Sequence, residues 1–248
     1  MKVSIITVSF NAVDTIEDTI QSVINQKYPD LEYIIIDGAS KDGTVELVDK
    51  YKKQIDKVIS EKDEGIYDAM NKGIRSSSGD IIGILNADDI YQNNEVIERI
   101  VKEFKESDSD AVYGDLVYVK KNDLESVIRN WKSNVFERRN FLKGWMPPHP
   151  TFFLKRKHYL KYGMYDTRFK ISADYELMLR MLYKEHLSAS YFPNLVTRMR
   201  VGGESNASIK QRIKANIEDR KAWRINDIRP KPFTLLRKPL SKIKQYWS

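Results

Sequence analysis

The sequence predicts an α/β protein built on a mostly parallel sheet with helices on both faces. Three observations carry that expectation. Over the first hundred residues, apolar runs of strand length alternate four times with stretches of helical periodicity. The runs are continuous rather than alternating, as in strands buried on both faces. Each run stops at polar or acidic residues, and a parallel arrangement brings those ends to one edge, where open α/β sheets bind ligands.

The run Val3 to Val8 reads as the first strand, followed by the polar turn Ser9-Phe10-Asn11-Ala12. Ile16, Ile20, Val23 and Ile24 give a helix with Asn11 or Asp14 placed to cap it and Pro29 beyond its end. Leu31 to Ile36 is the second strand and stops at Asp37; Gly38 to Thr44 is turn-rich, and Val45, Val48 and Tyr51 begin a second helix. Val58-Ile59-Ser60 is a short third strand ending near Asp63-Glu64. A helix with Ile66, Met70 and Ile74 on one face closes at Ser76–Gly79, and Ile81 to Leu85 runs into Asn86-Ala87-Asp88-Asp89. By themselves the paired aspartates also fit a solvated strand-to-helix turn.

The second half changes character. Ala111 to Val119 and Ser126 to Arg129 read as longer strands, paired antiparallel; Phe136 to Leu142 reads as a helix. Met146 to Pro150 reads as rigid and extended, because each residue before a proline is pushed toward the extended region. A strand at Thr151–Leu154, a helix at Lys155–Tyr162, a stronger helix at Tyr175–Glu185 and late strands at Ala189–Phe192 and Leu195–Val201 follow. Gly202 to Asn206 reads as a glycine-hinged loop able to close over a ligand.

Composition bounds the function. In 248 residues, 41% hydrophobic and 31% charged, there is material for a sizeable core. The absence of cysteine excludes thiolate metal sites, disulfides and cysteine nucleophiles. Neither a signal peptide nor an apolar run of about 18 residues is present, so a cytoplasmic location is expected. The net charge of +7 is uneven: Ser205–Ser248 holds 12 Lys/Arg against 3 Asp/Glu, leaving residues 1–204 at −2. Residues 1–204 therefore read as one domain, with a first half at 1–110 and a second half of different character at 111–204, and 205–248 reads as a basic helical tail. In the stretch 229–248, Leu236, Leu240, Ile243 and Trp247 share a helix face interrupted by Pro239, and 6 Lys/Arg stand with no acid. That pattern suits contact with an anionic membrane surface; packing on the body or on a second subunit, as in a homodimer, is the alternative.

Six stretches in a fixed order resemble family 2 of the nucleotide-sugar glycosyltransferases, inverting enzymes with the A-type, Rossmann-like fold. They are Ser4–Asn11, Tyr33–Thr44, Asp63–Gly73, Gly79–Asp89, His149–Phe153 and Ala173–Leu177. The resemblance implies transfer of a sugar from an NDP-sugar, a UDP-sugar first, to a hydroxyl of a glycan or lipid-linked glycan in cell-surface polysaccharide synthesis, at the inner face of the membrane. It implies that Thr7, Ser9, Asn11, Asp37, Asp63, Asn71, Lys72, Asn86, Ala87 and Asp88 meet the nucleotide, with Asp37 accepting the imide N–H of a pyrimidine. Asp88 would hold Mg²⁺ or Mn²⁺ across the diphosphate, with His149 as a second ligand or a contact to the phosphates. Asp174 would be the base that takes the acceptor's proton, and Asp89, His149 and Tyr175 would stand behind it or against the acceptor. The chain departs from the commoner pattern at Asn86, where an aspartate is usual, and at Ala173, where a glutamate is usual. On residue type alone, Asp37 fits a turn cap, Lys72 a solvated helix face, His149 a structural histidine and Asp174 a helix N-cap.

Two other enzyme or binding classes fit less well. A nucleotidyltransferase would carry a glycine-rich, basic loop after its first strand, and Ser9-Phe10-Asn11-Ala12 has neither glycine nor lysine. Nucleic-acid binding would rest on the tail alone, since the body is mildly acidic and no recognition motif is present, so no nucleic-acid partner is expected. A non-catalytic sugar-nucleotide-binding homologue is a further alternative, motivated by Asn86 and Ala173.

Overall fold

The structure, a computed structural model, describes residues 1–202 and 209–228. The parallel core forms as the apolar runs require. Strands β1 (Val3–Ser9), β2 (Leu31–Asp37), β3 (Lys57–Ser60) and β4 (Ile81–Asn86) lie in the order β3-β2-β1-β4, all parallel. Between them run helices α1 (Ile16–Ile24), α2 (Thr44–Asp49) and α3 (Ile66–Ser76). Period-two alternation divides each strand between two cores. Val3 and Ile5 of β1 pack with Ile16, Ile20 and Val23 of α1, while Ile6 and Val8 pack with Met70 and Ile74 of α3. Each such buried side chain stabilises the fold by about 1.5–3 kcal/mol.

Register fixes the edge. Ser9 pairs with Asp37, Asp37 with Ser60, and Val8 with Asn86, so the carboxyl ends of all four strands finish level. Gly79 allows β4 to enter beside β1: a Cβ there would lie 2.7 Å from the Ser4 nitrogen and 3.0 Å from the Lys2 oxygen.

Beyond β4 the sheet becomes mixed. A strand absent from the sequence expectations, β5 (Asp89–Tyr91), follows directly on Asp88, and helix α4 begins only at Val96, running Val96–Ser107. Strands β6 (Ala111–Lys120) and β7 (Asp123–Trp131) form the expected antiparallel pair. Strand β8 (Phe153–Lys155) bridges β4 and β6 antiparallel, helix α5 is Arg156–Tyr162, and β9 (Ala189–Arg200) lies parallel to β6 as one strand rather than two.

Several local expectations are corrected. Neither Asn11 nor Asp14 caps α1, whose N-cap is Thr15 without a side-chain cap bond. Ile66, at the first position of α3, is 44% exposed instead of facing the core. The Phe136–Leu142 helix is a 3₁₀ segment at Arg138–Lys143, and the extended Pro-rich stretch closes into a 3₁₀ turn at His149–Thr151. The Tyr175–Glu185 helix starts earlier, as α6 (Ala173–Met178), and continues through Lys184 as a π-helical turn.

Helix α7 (Ile209–Ile225) packs on the domain through Ala222 and Trp223, which join the core beside α6. All but Gly202 of the expected Gly202–Asn206 loop, and the amphipathic stretch 229–248, lie outside the described residues. Among the described residues no helix is long and apolar enough to cross a membrane.

Candidate active site

At the β2 end, Asp37 is 1% exposed. Its Oδ1 accepts the Ser9 and Ser40 hydroxyls, and its Oδ2 accepts the Ser40 amide at 2.9 Å and the Ser60 hydroxyl at 2.8 Å. Four donors fill the acceptor positions of a carboxylate. An incoming imide N–H therefore has to displace one of the hydroxyls. The loop behind is held tightly: Ala39 adopts φ 61°, a left-handed conformation uncommon outside glycine, and Asn11 adopts φ 48°. Asn11 Oδ1 accepts the Lys41 amide and its own amide reaches Ser40 Oγ.

Asp63 stands over this edge. A Cβ on Gly38 would lie 2.6 Å from Asp63 Oδ2 and 3.2 Å from the Phe10 ring, so the glycine leaves room for both. Phe10 is 66% exposed, a bare aromatic face at the end of β1. Sequence reasoning passed over it, although a solvent-facing Phe at a strand end was visible in the turn after Ser9.

The β4 end is different in kind. Burial pushes the Asp88 carboxyl up, against the opposing pull of its own amide, Arg200 and His149. Among the described residues no other side chain hydrogen-bonds that carboxylate. Arg200, itself 4% exposed, bonds the Asp88 carbonyl oxygen at 2.8 Å and the Lys121 oxygen at 3.1 Å, and pairs with Asp18. Arg200 fixes where the Asp88 backbone sits; it too was missed, because its contacts to Asp88 and Asp18 span more than a hundred residues. Burial, with Asp88's charge second, drives Asp89 well above the carboxylate range. Asp89 is fully buried and opens β5, so it does not face an acceptor and stands behind Asp88. The partly buried Asn86 amide contacts Asp89 Oδ2 at 3.4 Å, and Ala87 is buried with its amide on the Val8 oxygen.

His149 is brought from its 3₁₀ turn to the same place. Its Nδ1 is 3.3 Å from Asp174 Oδ2, and when protonated it would draw the Asp88 carboxyl down. Asp174 occupies the first turn of α6 rather than its N-cap, which is Ser172. The Tyr67 hydroxyl donates to the Ile171 oxygen at 2.6 Å and lies 3.4 Å from Asp174 Oδ1. Burial and the Asp174 charge push the Tyr67 phenol up, so it stays protonated. Asp88 from the turn after β4, His149 from the 3₁₀ turn and Asp174 from α6 thus come near one another.

Other candidates point elsewhere. Thr7 is fully buried beneath the Tyr33 hydroxyl, because β1 runs two residues past it to Ser9. Asn71 clamps the Tyr165 backbone with both amide atoms, at 2.8 and 2.9 Å. Lys72 is tied to Glu61, Asp68 and the Lys62 carbonyl. Tyr175 points into the core, where its hydroxyl accepts the Trp223 indole N–H at 2.8 Å.

A divalent cation fits what remains. No cluster of three His, Asp or Glu side chains forms a cage among the described residues. Mg²⁺ and Mn²⁺ sites of this type need only one or two carboxylates, with substrate phosphates completing the shell. Asp88, desolvated and bare of side-chain donors, suits that role, and the His149 nitrogen suits Mn²⁺ better than Mg²⁺.

The sequence profile of glycosyl transferase family 2 matches residues 4–164. An uncharacterised glycosyltransferase of Mycobacterium tuberculosis is 34% identical over 180 residues, 72% of this chain and 68% of its own length. A Bacillus subtilis glycosyltransferase assigned by name to teichuronic acid biosynthesis is 37% identical over 101 residues, 40% of each chain. Among solved structures, S. aureus TarS residues 1–349 with UDP-GlcNAc superposes with a TM-score of 0.71 at 16% identity, over 91% of this chain and 65% of that one. A Pyrobaculum calidifontis mannosyltransferase with GDP-Man and Mn²⁺ gives 0.67 at 20% identity, over 96% and 68%. Both share the mixed α/β architecture described above.

Proposed function

The chain belongs to glycosyl transferase family 2 and is a glycosyltransferase with the A-type fold, and from that premise we propose an inverting enzyme that moves a sugar from a nucleoside-diphosphate sugar to an acceptor hydroxyl. The observation that carries this reading is the meeting of Asp88, His149 and Asp174 beside a polar strand edge. The nucleoside lies at the β1–β3 edge, with its base against Phe10 and within reach of Asp63 and Asp37. UDP is the first expectation. The diphosphate lies toward Asp88 and His149, the residues that would hold Mg²⁺ or Mn²⁺. Such an ion, when bound, neutralises charge on the departing diphosphate.

The rest is done by side chains of this chain. Asp174 takes the acceptor's hydroxyl proton as that oxygen bonds to the anomeric carbon. The bond from that carbon to the diphosphate oxygen breaks on the opposite face, so the configuration inverts. Tyr67 and His149 flank the two carboxylate oxygens and fix the plane of the group, while its remaining lone pairs face the acceptor. In this reading residues 1–110 serve the donor and 111–204 the acceptor and base. The acceptor is a glycan or lipid-linked glycan, and residues 229–248 meet an anionic membrane at its inner face.

Calorimetry with UDP, UDP-GlcNAc and GDP-Man, with Mn²⁺ and with EDTA, tests the donor end. The expected result is UDP binding that tightens by at least about tenfold with Mn²⁺, with the gain lost in Asp88→Ala; each tenfold is about 1.4 kcal/mol. Binding indifferent to EDTA and to that substitution contradicts the assignment.

A further inference from the structure

Glu218 stands on α7, more than forty residues beyond Asp174, and is 8% exposed. A buried carboxylate is costly unless hydrogen-bonded. Its donors are three consecutive backbone amides: Lys170 at 3.1 Å, Ile171 at 2.8 Å and Ser172 at 2.9 Å. Successive N–H groups form a concave anion seat, and here the anion is supplied by a distant helix. These amides are the turn that enters α6, and Ser172 makes no side-chain cap bond of its own. The carboxylate also faces the positive end of α6, which favours negative charge.

Trp223 of α7 and Asn226, the residue just past its end, grip the same helix. Trp223 donates to Tyr175, and the Asn226 amide donates to Glu176 Oε1 at 3.0 Å. On the other side the turn is held by Tyr67, which bonds the Ile171 oxygen, and by Lys170, which reaches the Glu64 carbonyl at 3.3 Å. Asp174 is two residues from the turn that Glu218 seats. The family profile ends at residue 164, so the brace lies outside it.

We propose that Glu218 is a positioning residue: it seats the Lys170–Ser172 turn and thereby sets the Asp174 carboxylate against the acceptor. The inference rests on Asp174 being the base. It assigns α7 a part in turnover, without any contact to the reacting atoms. Displacement of a reacting group by about 1 Å can lower a rate by about 10²-fold, so a loosened seat is expected to be felt in kcat.

The experiment uses the full chain and two readouts on Glu218→Ala, Glu218→Gln and Asp174→Asn. Hydrogen exchange reads the amides of 170–172 directly. UDP release from UDP-GlcNAc with Mn²⁺, with water as the acceptor, reads the base. For Glu218→Ala the expected result is exchange at 170–172 faster by at least about tenfold and kcat lower by about 10- to 100-fold. UDP affinity, set at the far edge, stays within about twofold. Glu218→Gln, which keeps an acceptor oxygen, recovers most of both. Unchanged exchange or unchanged kcat in Glu218→Ala overturns the proposal, as does a kcat loss matched by equal loss of UDP affinity. If Glu218→Ala does not fold, the same readouts on Glu218→Gln decide: protected amides with intact kcat support the seat, and exposed amides with intact kcat refute it. If Asp174→Asn releases UDP at the wild-type rate, the base assignment fails, while the exchange data still judge the seat.

Discussion

The two sides of the site are held by different means. The proposed donor edge is a product of sheet register: Ser9, Asp37, Ser60 and Asn86 end level because four parallel strands pair in step. The turn before Asp174, the proposed base, has no such frame. It is a loop-to-helix junction kept in place by side chains from α3 and α7 and by the buried pair behind it. A register-built edge is expected to lose function one residue at a time, whereas loosening one brace is expected to be felt across the whole turn.

The sharpest way to break that contrast is at Glu176, 2% exposed and paired with Arg180 through both carboxylate oxygens at 2.9 Å. Arg180 also bonds the carbonyls of Tyr162, Gly163 and Met164. Arg180→Met leaves Glu176 as an uncompensated buried charge and is expected to destabilise by about 3–5 kcal/mol, read as a lower urea midpoint. A midpoint within about 0.5 kcal/mol of wild type shows that the turn does not depend on this pair.

On the donor edge, Asp37→Asn keeps the size but turns an amide toward the Ser9, Ser40 and Ser60 donors. The expected loss is about 1–3 kcal/mol of stability and at least about tenfold in UDP affinity, with exchange at 170–172 unchanged. If exchange rises at the base turn, the two sides are one mechanical unit.

The smallest effect is expected at the opposite end of β2. Burial favours a neutral Glu32, but the Ser4 hydroxyl, the Ser78 amide and hydroxyl, and Lys2 outweigh it and hold the carboxyl at about 2. The unfolded carboxyl titrates near 4.3, so it binds protons first. This contribution is complete above about pH 4.3 and is lost as pH falls toward 2. Urea midpoints for Glu32→Gln should therefore differ from wild type at pH 6 and converge with it near pH 2. A gap that persists unchanged at pH 2 refutes the linkage.

The polar strand edge was legible because strand ends follow from apolar runs; Asp37, Asp63 and Asp88 all fall there. Thr7 misled because the strand read as ending at Val8 runs to Ser9, which leaves Thr7 two residues inside the edge and fully buried. Asn71 and Lys72 misled because a helical pattern shows which face is polar but not that Tyr165, Glu61 or Asp68 occupies it. In the second half almost nothing local determines position. His149 meets Asp174 across a proline-closed turn, Arg200 reaches Asp88 from the last strand, and Glu218 reaches the base turn from α7. Side-chain bonds of that span leave no periodicity to read.

The central claim is that Asp174 removes the acceptor's proton. Asp174→Asn changes one oxygen to nitrogen and keeps the Tyr67 and His149 neighbours. Measured by single-turnover transfer beside UDP calorimetry with Mn²⁺, the variant is expected to lose at least about 10²-fold in rate with UDP affinity within about twofold. Transfer above about a tenth of the wild-type rate, with the nucleotide still bound, contradicts it.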